Sequence, residues 1–240
     1  MTNLSIVIPA RNEAGNIVAL VEEIDGAMTG LAPFEIIVVD DGSTDATVAV
    51  LIARATAMPH LRLIRHDRSG GQSAAVHTGV LAARSAIILT LDGDGQNPPL
   101  ELPKLAAPLL ADTTGRVGLV AGQRVGRQDT WSKKTASRMA NALRGWLLRD
   151  GTRDTGCGLK GFRRDAFLAL PYFDHMHRYL PALFVRDGWL IVHVDVTHRA
   201  RGEGRSNYSN LQRAIVGVPD LLGLVWLLRR RKKARPLDLE

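Results

Sequence analysis

The stretch FEIIVVDDGS, residues 34–43, decides the fold class. Four consecutive β-branched residues, Ile36 to Val39, leave no polar face, which is the pattern of a strand covered on both sides. Asp40-Asp41-Gly42-Ser43 ends it as a turn, and helical spacing resumes over about 44–57. The same alternation extends outward. Residues 5–9 (SIVIP) precede a helical pattern over 15–28, and residues 61–65 (LRLIR) precede one over 71–84. Residues 86–92 (AIILTLD) and 117–122 (VGLVAG) add a fourth and a fifth strand. Continuous apolar strands between amphipathic helices predict an α/β chain with a mostly parallel sheet and helices on both faces.

The rest of the 240 residues is less regular. A basic helix is expected over 131–148, a Gly-rich turn over 154–158, a strand and helix over 159–170, a helix over 176–186 and a strand over 190–198. The polar loop 198–206 follows. With no internal repeat and no low-complexity linker, residues 1–210 read as one domain and 211–240 as an extension. Its apolar run, 214–228, spans only about 22 Å as a helix, short of a hydrocarbon core of about 30 Å. Pro219 and Asp220 sit inside it, and Arg229-Arg230-Arg231-Lys232-Lys233 follows. A short interfacial helix pinned to an anionic membrane surface is expected, with a packing helix and a solvated tail as the alternative.

Composition excludes disorder, a collagen repeat and a disulfide scaffold: 45% of residues are apolar, 23% are charged, and Cys157 is the single cysteine. The first five residues carry neither a basic n-region nor an apolar run. The expected location is therefore cytoplasmic, peripheral on the cytoplasmic face of a membrane. The net charge of +7 is concentrated. Residues 124–149 carry seven basic side chains and one acid, residues 229–240 carry six basic and two acidic, and the remainder is slightly acidic. Acidic lipid and phosphate esters suit such segments, and nucleic acid is not an expected partner.

In sheets of this kind ligands gather at the carboxyl ends of the strands. Three acid-bearing turns fall there: Pro9-Ala10-Arg11-Asn12-Glu13, Asp40-Asp41-Gly42-Ser43 and Asp92-Gly93-Asp94-Gly95-Gln96. Two carboxylates one residue apart, with a carboxamide beside them, suit Mg²⁺ or Mn²⁺ held jointly with a diphosphate. Asp41 is placed to accept from a base or a ribose, while Asp40 or Ser43 is a natural cap for the following helix. Glu13 reads either as a ligand-facing acid or as a first-turn acid of its helix. Gly71-Gln72-Ser73 opens a helix, and Asp154 either orients a sugar hydroxyl or holds its turn. His175 and His177 lack a third metal ligand, and Cys157 reads as a packing residue.

These motifs, together with Gly122-Gln123-Arg124, Trp131-Ser132-Lys133-Lys134, Ser137 and the Arg-rich loop before Tyr208, resemble family 2 glycosyltransferases of the Rossmann-like GT-A fold. Within them the chain is similar to polyprenyl-phosphate glycosyltransferases of the dolichol-phosphate mannose synthase type, over residues 4–210. The resemblance implies a nucleotide-sugar donor, GDP- or UDP-linked, with its base near Pro9, Arg11, Glu13 and Asp41. It implies Asp92 on the ribose or sugar side, Asp94 and Gln96 on the metal, and Arg201 and Arg205 on a loop that closes over the donor. Arg124, Lys133 and Ser137 would grip the phosphate of a polyprenyl phosphate acceptor, and transfer would invert the anomeric carbon. Asp92, Asp94 and Arg124 are thus the expected catalytic residues. Arg11 stands where relatives often carry an aromatic, Lys133 replaces a frequent arginine, and Asn207 replaces a lysine. No Gln-x-x-Arg-Trp motif of processive synthases is present. A homo-oligomer or a membrane partner subunit is compatible with the sequence. A sugar-hydroxyl acceptor on a glycolipid or glycan, and a non-catalytic nucleotide-sugar binding module, are the alternatives.

Overall fold

The computed structural model describes residues 3–125, 145, 147–148, 150–199 and 210–230, the side chains of 210–218 aside. Strands β1 (Leu4–Ala10), β2 (Phe34–Asp40), β3 (Leu61–Arg65), β4 (Ile87–Thr90), β5 (Val117–Arg124), β6 (Lys160–Arg163) and β7 (Leu190–Val196) form one sheet in the order β3-β2-β1-β4-β6-β5-β7. β1 pairs parallel with β2 and β4, as do β2 with β3 and β5 with β7. β6 runs antiparallel between β4 and β5. The mostly parallel sheet read from the sequence is therefore present, with one reversed strand inserted next to its centre.

Helices α1 (Ile17–Met28), α2 (Thr47–Ala55) and α4 (Leu102–Leu110) cover one face of the sheet. Helices α3 (Gln72–Ala82), α5 (Arg164–Leu168), α6 (Leu180–Arg186) and α7 (Asn210–Arg229) cover the other. Alternation along each strand feeds both cores. Ile6, Ile8, Ile36 and Val38 point to the first, and Val7, Ile37 and Val39 to the second, all fully buried. Two dry faces are why the strands read as unbroken apolar runs. The edge strands β3 and β7 are only partly buried.

Several boundaries differ from the sequence reading for local reasons. α2 begins at Thr47 rather than near Thr44, because Thr44 donates its N–H to the Asn12 carboxamide (2.8 Å) and Asp45 receives the Thr47 N–H (3.0 Å). The N-cap position falls on Ala46, which makes no side-chain cap hydrogen bond, and neither Ser43 nor Asp40 fills that place. α4 has no counterpart in the sequence reading, and its segment carries Pro103 and Pro108. Pro103 occupies the first turn, where no N–H is required, and Leu102, Leu105, Ala106 and Leu109 bury the inner face. Residues 176–186 divide into a single 3₁₀ turn, Met176–Arg178, and α6. Residues 145, 147 and 148 are helical, and the rest of the 131–148 expectation lies outside the described residues.

α7 starts four residues before the expected run and carries Pro219 inside it. Leu221, Leu224, Val225, Leu227 and Leu228 pack on the α3, α5 and α6 side of the sheet. Leu222 and Trp226 point outward, 68% and 61% exposed, and the Arg230 guanidinium lies 5.8 Å over the Trp226 ring. Among the described residues no helix is long and apolar enough to cross a membrane.

Candidate active site

The turns after β1, β2 and β4 meet at one rim, and the first two are stitched together. Asn12 donates its N–H to Ser43 Oγ (2.9 Å) and Glu13 donates its N–H to Thr47 Oγ1 (2.9 Å). The Glu13 carboxylate accepts from Asn16 Nδ2 (2.9 Å) at the head of α1. Arg11 is exposed beside it, and Pro9 reaches the wall of the cavity described below. Asp40 is wholly buried, accepts the Ser43 N–H (3.3 Å) and pairs with Arg65 (3.3 Å).

Asp41 turns away from this stitching toward residues 66–71. Its carboxylate accepts from His66 Nδ1 (2.8 Å), Ser69 Oγ (2.7 Å), Gly70 N–H (2.8 Å) and Gly71 N–H (2.9 Å). Burial pushes its pKa up, but these four donors outweigh burial and hold the carboxyl below its usual range. Gly42 permits the approach. It lies at φ +70, and a Cβ there would stand 2.8 Å from the Ser69 nitrogen. The same carboxylate thereby fixes Gly70 and Gly71 ahead of α3.

From the first residue of α3, Gln72 donates Nε2–H to Asp92 Oδ1 (2.7 Å), and Asn97 Nδ2 donates to Asp92 Oδ2 (3.2 Å). Asp92 is the opposite of Asp41 electrically: burial first, and then the like charge of Asp94, raise its pKa. Asp94 Oδ1 accepts the Gln96 N–H (3.1 Å). The Asp92 carboxylate rests directly on Gly158, where a Cβ would collide with its oxygens.

A cavity of about 750 Å³ opens beside Asp92. One wall comes from Gln72 and Val76 of α3 together with His177, Arg178 and Leu180. The other comes from Gln123 and Arg124 of β5 and the turn 153–158. Arg124 forks onto Asp154 through Nε (2.6 Å) and Nη2 (2.8 Å), and this pairing raises the guanidinium pKa further. Lys160, opposite Thr90 and Ala121 in the reversed strand, is buried in the floor and donates to the Cys157 carbonyl. Burial lowers its pKa, and Cys157, Asp92 and Asp154 oppose the drop. His177 Nδ1 lies 2.7 Å from Ser73 Oγ. Burial, with Lys160, Arg178 and His175 nearby, lowers the His177 pKa well below its usual value, so its ring is neutral.

The structure thus brings Pro9, Asp92 and Arg124 to one cavity, with Asp94 and Gln96 on the adjoining turn. Asp41 faces its own loop, and Arg11 and Glu13 belong to the neighbouring turn. Lys133, Ser137, Arg201 and Arg205 lie outside the described residues. The chain nevertheless approaches the rim just before residue 201: Arg199 donates its N–H to the Gln96 carbonyl (3.1 Å), and Thr197 Oγ1 donates to Glu101 (2.7 Å). Sequence reasoning missed Lys160, Arg153 and Arg178. A lysine inside the otherwise apolar Leu159-Lys160-Gly161-Phe162, next to a Gly-rich turn, was the available signal for the first. Among the described residues no three His, Cys, Asp or Glu side chains form a cation site on their own. Asp94 and Gln96 offer hard oxygens next to Asp92. That donor set fits a divalent cation which completes its shell from a diphosphate and water.

The glycosyl transferase family 2 model matches residues 5–170. The dodecaprenyl-phosphate galacturonate synthase of Rhizobium johnstonii is 35% identical over 240 residues, 97% of this chain and 69% of that protein. The undecaprenyl-phosphate 4-deoxy-4-formamido-L-arabinose transferase of Sodalis glossinidius is 35% identical over 208 residues, 86% of this chain and 63% of that protein. The chain therefore spans about two thirds of the length of these relatives. The crystal structure of glucosyl-3-phosphoglycerate synthase from Mycobacterium tuberculosis with UDP superposes with a TM-score of 0.71 at 23% identity, over 94% of this chain and 80% of that one. A complex of the same enzyme with Mn²⁺, UDP-glucose and phosphoglyceric acid gives 0.71 at 22% identity, over 95% and 79%. The alternating strands, the acid-bearing rim and these matches agree: the chain belongs to glycosyltransferase family 2 and has the GT-A fold.

Proposed function

We propose that the chain moves a sugar from a nucleotide-sugar donor, GDP- or UDP-linked, to polyprenyl phosphate at an anionic membrane surface, a reaction of the dolichol-phosphate mannose synthase kind. The observation that carries this reading is the juxtaposition of the Asp92-Gly93-Asp94 turn with a cavity whose walls hold Arg124 and Lys160. The two relatives, which act on dodecaprenyl and undecaprenyl phosphates by name, support the acceptor.

A hydroxyl acceptor needs a general base, whereas a phosphate monoester with a second pKa of about 6 is already largely dianionic at neutral pH. Its phosphate requires cationic positioning, which we assign to Arg124 and Lys133, with the Ser137 hydroxyl as a hydrogen-bond donor. A phosphate oxygen attacks the anomeric carbon, the bond from that carbon to the diphosphate oxygen breaks, and the nucleoside diphosphate leaves from the opposite face with inversion. Mg²⁺ or Mn²⁺, held by Asp94 and Gln96, would stabilise the leaving diphosphate as a Lewis acid. Pro9, Arg11, Glu13 and Asp41 frame the nucleotide, Asp41 through its grip on residues 69–71, and Arg201 and Arg205 close over the donor. Residues 1–210 form the catalytic unit. Residues 211–240 face the membrane, with Leu222, Trp226 and the adjoining arginines entering the headgroup region.

Nucleoside diphosphate release from a panel of GDP- and UDP-sugars, with a short polyprenyl phosphate, Mg²⁺ or Mn²⁺ and then chelator, tests the proposal. Release from one donor that requires both the lipid phosphate and the metal is expected. Release unaffected by omitting the lipid phosphate overturns the acceptor assignment.

A further inference from the structure

Four cations line the cavity, Arg124, Arg153, Lys160 and Arg178, against two acids, Asp92 and Asp154. Arg124 is forked onto Asp154, and Arg153 is tied to Asp195 (2.8 Å) and Gln123 (2.9 Å). Lys160 sits on the Cys157 carbonyl between Asp92 and Asp154. The Arg178 guanidinium, half-buried on the opposite wall, has neither a hydrogen bond nor an ion pair among the described residues. Its neighbour His177 is locked to Ser73 and neutral, so it supplies no counter-charge.

We infer that Arg178 marks an anion subsite for the transferred sugar, and that the donor carries a carboxylate on its ring, as a uronic acid does. This rests on the nucleotide-sugar reading above. In that reading the diphosphate belongs at Asp94 and Gln96, and the acceptor phosphate belongs at Arg124. The ligand group left to meet Arg178 is the sugar. A neutral hexose would leave a desolvated guanidinium without a counter-ion, whereas a carboxylate accepts its planar fork bidentately. Repulsion from Asp92 and Asp154 is offset by Lys160 and Arg124, which already stand against them.

The test compares kcat/KM for UDP-glucuronate with UDP-glucose, UDP-galacturonate with UDP-galactose, and GDP-mannuronate with GDP-mannose, using polyprenyl phosphate as acceptor. One uronate is expected to exceed its neutral partner by about tenfold or more. Arg178→Gln should lower that uronate-to-neutral ratio about 10- to 100-fold, the size of a charge-assisted hydrogen bond lost, with partial rescue by Arg178→Lys. A neutral donor preferred in each pair overturns the inference. So does Arg178→Gln lowering both members of a pair equally, or raising only the KM for polyprenyl phosphate, which would make the anion the acceptor's phosphate. Calorimetric titration of the same donors without acceptor separates the two proposals. A uronate preference in binding that Arg178→Gln abolishes, in an enzyme that does not use polyprenyl phosphate, upholds the subsite and sinks the acceptor. Absence of binding by every donor overturns both.

Discussion

Asp41 and Asp92 each follow a buried parallel strand and each heads a Gly-containing turn, yet their surroundings are opposite. Asp41 receives four donors, two of them backbone N–H groups, and its pKa falls. Asp92 receives two side-chain amides, stands near Asp94 and beside Gly158, and its pKa rises. A carboxylate wrapped in main-chain donors holds architecture. One buried near another carboxylate, on the wall of a cavity, is held at a cost that Lys160 and Arg124 offset in part and a bound cation would relieve further. The two are joined in series, since Asp41 fixes Gly70 and Gly71, and Gln72 next to them reaches Asp92.

The largest expected effect breaks the pair at the Asp92 end. Asp92→Asn keeps the shape and removes the charge, so turnover in the diphosphate-release assay should fall by about 10² to 10³-fold. The thermal midpoint should stay equal to the parent's or rise, because a buried like-charge contact disappears. A clear drop in the midpoint would give Asp92 the structural role assigned to Asp41. Asp41→Asn should do the reverse. An amide cannot accept four hydrogen bonds, and urea unfolding should show a loss of about 2–4 kcal/mol. Turnover should fall less than in Asp92→Asn, and a larger fall would place Asp41 directly on the donor.

The smallest effect lies in the acid limb of stability. Asp41 and Glu35 both have folded-state pKa values lowered below their ordinary ones. For Glu35 burial opposes the shift, and hydrogen bonds from Ser5, the Arg84 N–H and Arg62 outweigh it. Depressed carboxyl groups contribute stability above their unfolded pKa values of about 4 and lose it as pH falls through the folded ones. Thermal midpoints measured between pH 6 and pH 3 should therefore decline, and the decline should be shallower in Asp41→Asn. Equal slopes in parent and variant would show that Asp41 does not carry this dependence.

The sheet and the rim were legible because β1, β2, β4 and β5 are covered on both faces, so their apolar runs are unbroken and their polar ends conspicuous. The direction of β6 was not, because four residues carry no pairing sense. α4 hid behind two prolines, each tolerable only in a geometry that packing reveals. The saturation of Asp41 depends on donors 25 to 30 positions away, and no local pattern announces them. Asp92, Asp94 and Arg124 stood out as acids and a cation at strand ends. Lys160 and Arg178 did not, since one lies within a short strand and the other within a single 3₁₀ turn, and their significance comes from the cavity they share.

The reversed β6 has a consequence for how the chain is made. On a ribosome, β4 and β5 emerge long before the strand that pairs with both, and until residue 163 is available each presents a row of unpaired backbone groups. The floor of the cavity, Lys160 included, is therefore assembled late, so a nascent chain joins β4 to β5 and gains this part of its site together, before β7 adds to the far edge of β5. Shortened versions ending between residues 125 and 159 should aggregate through those open edges, whereas insertions confined to that interval leave the pairing intact.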